Sequence, residues 1–180
     1  MQNFEHNEKI RIFKNDDNIG LTKSLNKLIK KASGSVIARQ DADDTSLPNR
    51  LEIQMESMNL KKLDFCISRA FIKNSNKLIP NLSYFFPVKM VIKYKNPFIH
   101  GTLFIKKSIM LEVGGYDERF KFSQDYKLFI DLIKMKKKYY FIKKPLYILN
   151  MEDNISINFK EKQKYYAKCA QKDLIPDNEK

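Results

Sequence analysis

The chain has 180 residues and a formal net charge of +13, with 34 Lys and Arg against 21 Asp and Glu. Hydrophobic residues at 43% and charged residues at 31% lie near globular averages, which sets aside a disordered tail, a collagen-like chain and a heptad rod, and the length suits one domain. No apolar window approaches the roughly eighteen residues of a membrane span, and Met1 to Glu5 lack the basic and apolar regions of a leader, so neither is expected and a cytoplasmic location follows.

Lys9 to Lys14 alternates polar and apolar residues and predicts a short strand, followed by a turn over Asn15 to Gly20. Leu21, Leu25, Leu28, Ile29 and Ala32 recur at three and four, predicting an amphipathic helix over Leu21 to Ala32 that stops at Ser33 and Gly34. Ser35 to Arg39 is a brief apolar strand that runs into Asp41, Ala42, Asp43 and Asp44. Strand, helix, strand is the pattern of a parallel sheet. Ser46, Leu47 and Pro48 open the next helix, with Leu51, Met55 and Met58 or Leu60 on its inner face. Further strands are expected at Asp64 to Arg69, Thr102 to Ile105 and Ile142 to Leu149, and helices at Lys107 to Val113 and Tyr126 to Met135. Asn74 to Asn96 is apolar yet broken by prolines, so it is expected to be ordered but irregular; the tail from Asn158 reads as helical, fraying near Pro176.

Cys66 and Cys169 are isolated thiols without C-x-x-C spacing and are expected to be reduced and unreactive. Lys134, Lys136, Lys137, Lys138, Lys143 and Lys144 fall in an acid-free run interleaved with Tyr139, Tyr140 and Phe141. Basic residues among aromatics invite a nucleic-acid reading. No helix-turn-helix, RNP-type or zinc-finger pattern accompanies them, so attraction to anionic lipid or a phosphorylated ligand is favoured, with solubility alone the reading for most lysines.

Three constellations could carry chemistry. Asp41-Ala42-Asp43-Asp44 ends a core strand, where ligands gather in parallel sheets, and carboxylates one residue apart suit a hard divalent ion that keeps sites for phosphate oxygens. A helix cap by Asp44, Thr45 or Ser46 would account for one acid of the three. An EF-hand is excluded, because Ser46 stands where the loop needs Gly and Pro48 follows. Ser123-Gln124-Asp125-Tyr126 sets an acid at a helix start, which the helix dipole alone would favour. His100-Gly101 precedes a strand, and Gly114-Gly115-Tyr116-Asp117-Glu118 follows a helix.

Taken in order, Ile19 to Gln54 and His100 to Leu132 resemble two motif blocks of the family 2 glycosyltransferases, which have the GT-A fold. The resemblance implies an α/β domain over residues 1–157, with a mostly parallel sheet flanked by helices, and a helical or frayed tail over 158–180. It implies that Asp41 and Asp43 occupy the DxD positions, where the family binds a nucleotide sugar through Mn or Mg. Asp125 then occupies the position of the catalytic base in an inverting transfer. Arg39, Asn18 and Gly20 match positions near the nucleotide, His100, Gly115 and Tyr116 match the acceptor side, and Gln124 is a further substrate-binding position. Family members begin with further strands that hold the base, so an N-terminally truncated GT-A sheet is expected here. After the last strand, Leu149, Asn150 and Met151 stand where relatives often carry Arg or His.

The function expected is transfer of a sugar from a nucleotide-diphosphate donor to a saccharide or lipid-linked acceptor in surface polysaccharide synthesis. Peripheral contact with the anionic inner face of a membrane would suit the basic surface, and nucleic acid is not expected as a partner. An inactive truncated relative and a basic membrane- or nucleic-acid-binding module are the alternatives.

Overall fold

The computed structural model describes residues 7–75, 77–151 and 159–177. Among these residues six strands form one sheet: β1 Val36–Ala38, β2 Thr45–Ser46, β3 Phe65–Ile72, β4 Leu78–Ile79, β5 Phe104–Lys106 and β6 Tyr139–Leu149. The order is β1-β5-β3-β6-β2, with β4 paired to β3 as a hairpin. Among the described residues six α-helices accompany it: α1 Leu21–Lys31, α2 Arg50–Lys61, α3 Val88–Val91, α4 Lys107–Glu112, α5 Gln124–Lys134 and α6 Lys160–Lys172.

The α/β sheet flanked by helices is as expected, but its strands are not mostly parallel. Among the described residues only β3 and β6 pair in parallel; β1–β5, β3–β5, β3–β4 and β2–β6 are antiparallel. A parallel pair needs a long crossover, and β5, α4 and α5 supply it between β3 and β6. β1 has no parallel neighbour, because it pairs with β5, which lies between β1 and β3 and runs antiparallel to both.

The strand expected over Lys9 to Lys14 does not form. Ile10, Ile12 and Phe13 are 39, 51 and 39% exposed, and alternation alone holds no strand without a neighbour to share its backbone hydrogen bonds. Instead the Arg11 guanidinium donates to the Lys31 carbonyl and to Ser33 Oγ, both at 3.2 Å, and ties this segment to the end of α1.

β3 is buried along most of its length because both faces are covered. Phe65 and Ile67 point into a core shared with Leu25 and Ile29 of α1, Leu128, Phe129 and Leu132 of α5, and Tyr166, Cys169 and Ala170 of α6. Cys66, one residue out of phase, points the other way, toward Met58, Leu63, Phe104, Ile142 and Leu146. Both cysteines are buried free thiols, and burial pushes Cys66 up to about 12. The boundary expected at 157/158 lies outside the described residues; α6 beyond it packs on α5 as part of the first core. Among the lysine-rich residues after 134, Tyr139 and Phe141 pack onto that core, and Lys61 lies 4.6 Å over the Tyr140 ring.

The inner face of α2 differs from the expected one. Met58 is buried as expected, but Leu51, Met55 and Leu60 are 53, 40 and 83% exposed, and Arg50 and Gln54 are buried in their place. Positions 50, 54 and 58 share a helix face. Two of them are polar because each serves a backbone carbonyl: Gln54 Nε2 donates to Thr102 at 2.8 Å, and Arg50 donates to Arg39 in the loop that follows β1.

Candidate functional site

That loop runs from β1 to β2 and carries the acidic cluster. Arg50, 1% exposed, holds it from below: its guanidinium donates to the Arg39 carbonyl at 2.7 Å, Ser46 Oγ at 2.8 Å, Gln40 Oε1 at 3.2 Å and Gln54 Oε1 at 2.9 Å. It also lies 4.9 Å over the Tyr147 ring. A buried guanidinium is tolerated only with its donors used in this way.

Tyr147, fully buried on β6, reaches the same loop. Its hydroxyl accepts the Asp41 N–H at 3.1 Å and donates to the Asp44 carboxylate. The Asn150 N–H donates to Asp44 Oδ1 at 2.7 Å. Asp44 is thus turned inward as a loop fastener; burial holds its carboxyl above the usual range despite these donors. Asp41 forms an ion pair with Arg39. Asp43 is exposed.

Asp125 sits in the first turn of α5, after Ser123 in a left-handed conformation (φ 52°). Burial raises its carboxyl above the ordinary value, the N–H groups of Tyr126 and Asp125 and the Asn96 side chain lower it, and the charge of Asp41 raises it further. Asn96 Nδ2 donates to Asp125 Oδ2 at 2.8 Å. His100 Nε2 and the Tyr116 hydroxyl share a hydrogen bond of 2.6 Å. Burial, then the nearby Arg39 charge, pushes His100 down to about 3, so its imidazole is neutral.

These groups surround one cavity of about 720 Å³, within the range that takes small-molecule ligands. Asp41, Asp43 and Asp44 line it, as do His100, Gln124 and Asp125. Arg39 meets it through Asp41, and Tyr116 through His100. Asn18 and Gly20 are outside the lining: the Gly20 N–H donates to Asn18 Oδ1 at 3.1 Å in an exposed turn next to Leu21, which does line it. Gly115 is also outside. Its φ of 75° and the Asn26 side chain, 2.7 Å from where a Cβ would stand, make it a point of close contact between α1 and the loop after α4.

Several lining or supporting residues were not foreseen. Asn96, Tyr147 and Arg50 act across 29, 106 and 11 residues of sequence, distances over which no local pattern speaks. Lys121 precedes α5, and Gln163 and Lys164 come from α6, the helix read as a tail; Ser123 Oγ hydrogen-bonds both the backbone and the side chain of Gln163.

Among the described residues no group of three His, Cys, Asp or Glu forms an all-protein metal cage. Asp41 and Asp43 instead offer two carboxylates on a cavity wall, a donor set that fits a hard divalent ion completed by phosphate oxygens and water.

Residues 1–116 match the model of Glycosyl transferase family 2. The chain is 35% identical over 116 residues to the O-antigen biosynthesis glycosyltransferase WbnJ of Escherichia coli, covering 63% of this chain and 45% of that protein. It is 32% identical over 171 residues to an uncharacterised glycosyltransferase of Methanocaldococcus jannaschii, covering 91% of this chain and 58% of that one. The chain therefore spans about half the length of the curated relatives it matches. Its fold is similar to that of S. aureus TarS 1–349 in complex with UDP-GlcNAc, with a TM-score of 0.70 and 13% identity over 88% of this chain and 47% of that one. No helix among the described residues is long and apolar enough to cross a membrane.

Proposed function

The chain belongs to glycosyl transferase family 2, and from that premise we propose that its cavity binds a nucleotide-diphosphate sugar and transfers the sugar, with inversion, to a saccharide or lipid-linked acceptor in surface polysaccharide synthesis. The observation that carries the reading is that the acidic loop between β1 and β2 and Asp125 at the start of α5, remote in sequence, line one cavity. The UDP-GlcNAc complex of TarS and the O-antigen role of WbnJ support the donor and pathway class.

In this reading Asp41 and Asp43 would hold Mn or Mg. When bound, the ion offsets negative charge on the departing diphosphate. Arg39 fixes the Asp41 carboxylate, and Tyr147 fixes its backbone. Asp125 accepts the proton of the acceptor hydroxyl as that oxygen bonds to the anomeric carbon. The bond from that carbon to the diphosphate oxygen breaks, and the leaving group departs with the electron pair. A carboxyl raised by burial is a stronger base than an exposed one, which suits the task. Asn96 orients it. Neutral His100, held by the Tyr116 hydroxyl, supplies a hydrogen bond without charge on the acceptor side.

The test is thermal denaturation with UDP-, GDP- and dTDP-sugars, each with Mn or Mg. Stabilisation by one donor that disappears in Asp41→Asn and Asp43→Asn is expected. No shift with any donor, or the same shift in both variants, would reject the reading.

A further inference from the structure

Between Asp64 and Glu112 the chain contains no acidic residue. Inside that stretch Leu82, Phe85, Phe86, Met90 and Tyr94 stand 73, 73, 57, 57 and 80% exposed, and Lys89, Lys93 and Lys95 are exposed among them. A patch of this kind is uncommon on a freely soluble surface. The ridge is anchored: Val91 and Ile92 are buried, Tyr126 donates from its hydroxyl to the Ile92 carbonyl at 2.5 Å, and Gln171 Nε2 donates to the Tyr94 carbonyl at 2.9 Å. α5 and α6 therefore hold the backbone while the apolar tips project outward.

We propose that this ridge, from Leu82 to Lys95, docks on an anionic phospholipid bilayer. Aromatic and aliphatic tips enter the boundary between headgroups and acyl chains, and the lysines meet the phosphates. Charge decides against a second copy of the chain, since two such faces would set lysine against lysine on molecules of net charge +13. A groove of about 340 Å³ crosses the ridge, lined by Leu82, Ser83, Phe86, Val91, Tyr94 and Lys95. Tyr94 and Lys95 also line the main cavity. The bilayer then lies at the cavity mouth, where an acceptor anchored in the same membrane arrives by lateral diffusion. That last consequence rests on the glycosyl-transfer reading; the docking does not.

The experiment is co-sedimentation of the full chain with phosphatidylcholine vesicles, with and without phosphatidylglycerol. Binding that requires phosphatidylglycerol and weakens with salt is expected. It should fall roughly tenfold or more in Phe85→Ser/Phe86→Ser and in Lys89→Glu/Lys93→Glu, and persist in Lys136→Glu/Lys138→Glu. Circular dichroism checks the fold of each variant, and all six positions are exposed. Absence of binding, equal binding by the ridge variants, or loss only in the control pair overturns the proposal. So does a concentration-dependent dimer, seen by ultracentrifugation, that Phe85→Ser/Phe86→Ser abolishes. Donor-induced stabilisation should be the same in the ridge variants, which separates a failure of docking from a failure of the transfer reading.

Discussion

Replacing Asp125 by Asn leaves an oxygen to accept the Asn96 hydrogen bond but removes the base. Turnover with donor and acceptor is expected to fall by roughly 10²- to 10⁴-fold, measured as released nucleoside diphosphate. The same change bears on stability. Because burial raises the native pKa of Asp125, the native state holds a proton that the unfolded chain has lost, so this group's contribution falls as pH rises through the interval between the two values. Asp125→Asn should therefore melt higher than the parent at neutral pH, and the gap should close as pH falls to the ordinary carboxylate range. His100 has the opposite sense. Its native value is pushed down to about 3 from 6.5, so the unfolded chain takes up the proton first and stability is lost as pH falls below 6.5. A His100→Gln variant should show a shallower loss over that window in denaturation curves taken at successive pH values. His100 and Asp125 were both legible as polar residues beside glycine or a helix start, whereas Asn96 and Tyr147 were not, because their partners come from remote segments.

The element scale is governed by how β6 and α2 grip the acidic loop. A Cβ on Gly101 would stand 2.7 Å from Tyr147 Cζ, closer than carbon atoms approach, and Tyr147 is 0% exposed with no room to retreat. Gly101→Ala is thus expected to cost about 1–3 kcal/mol and to weaken donor binding by shifting the ring that holds the Asp41 N–H; chemical denaturation and thermal shift read the two effects. Arg50→Lys is a second test. One ammonium cannot serve the four acceptors that the guanidinium reaches, and each one left unpaired costs about 1–3 kcal/mol. The face of α2 was misread because Leu51 and Met55 keep helical spacing as well as Arg50, Gln54 and Met58 do, and hydrophobicity alone ranks the wrong set first. The same weakness applies to Ile10 and Ile12, whose alternation is sound but has no neighbour to meet.

For the molecule as a whole, donor with metal at 100 times its dissociation constant should add about 2.7 kcal/mol of stability, a shift abolished by a chelator if the ion is part of the site. The helices α1, α4 and α5 and the strands β1, β3, β5 and β6 were legible because three- and four-residue or two-residue spacing is a local property. Strand direction was not, since it depends on which segments meet after folding: β1 finds β5 far along the chain, as Ile37 opposite Ile105 illustrates. Nor was the role of α6 as a wall visible in a run of lysines. That wall has a consequence for synthesis. Asp41 leaves the ribosome more than a hundred residues before Gln163 and Lys164, so a growing chain displays its acids in open solvent, and enclosure comes only with the closing helix.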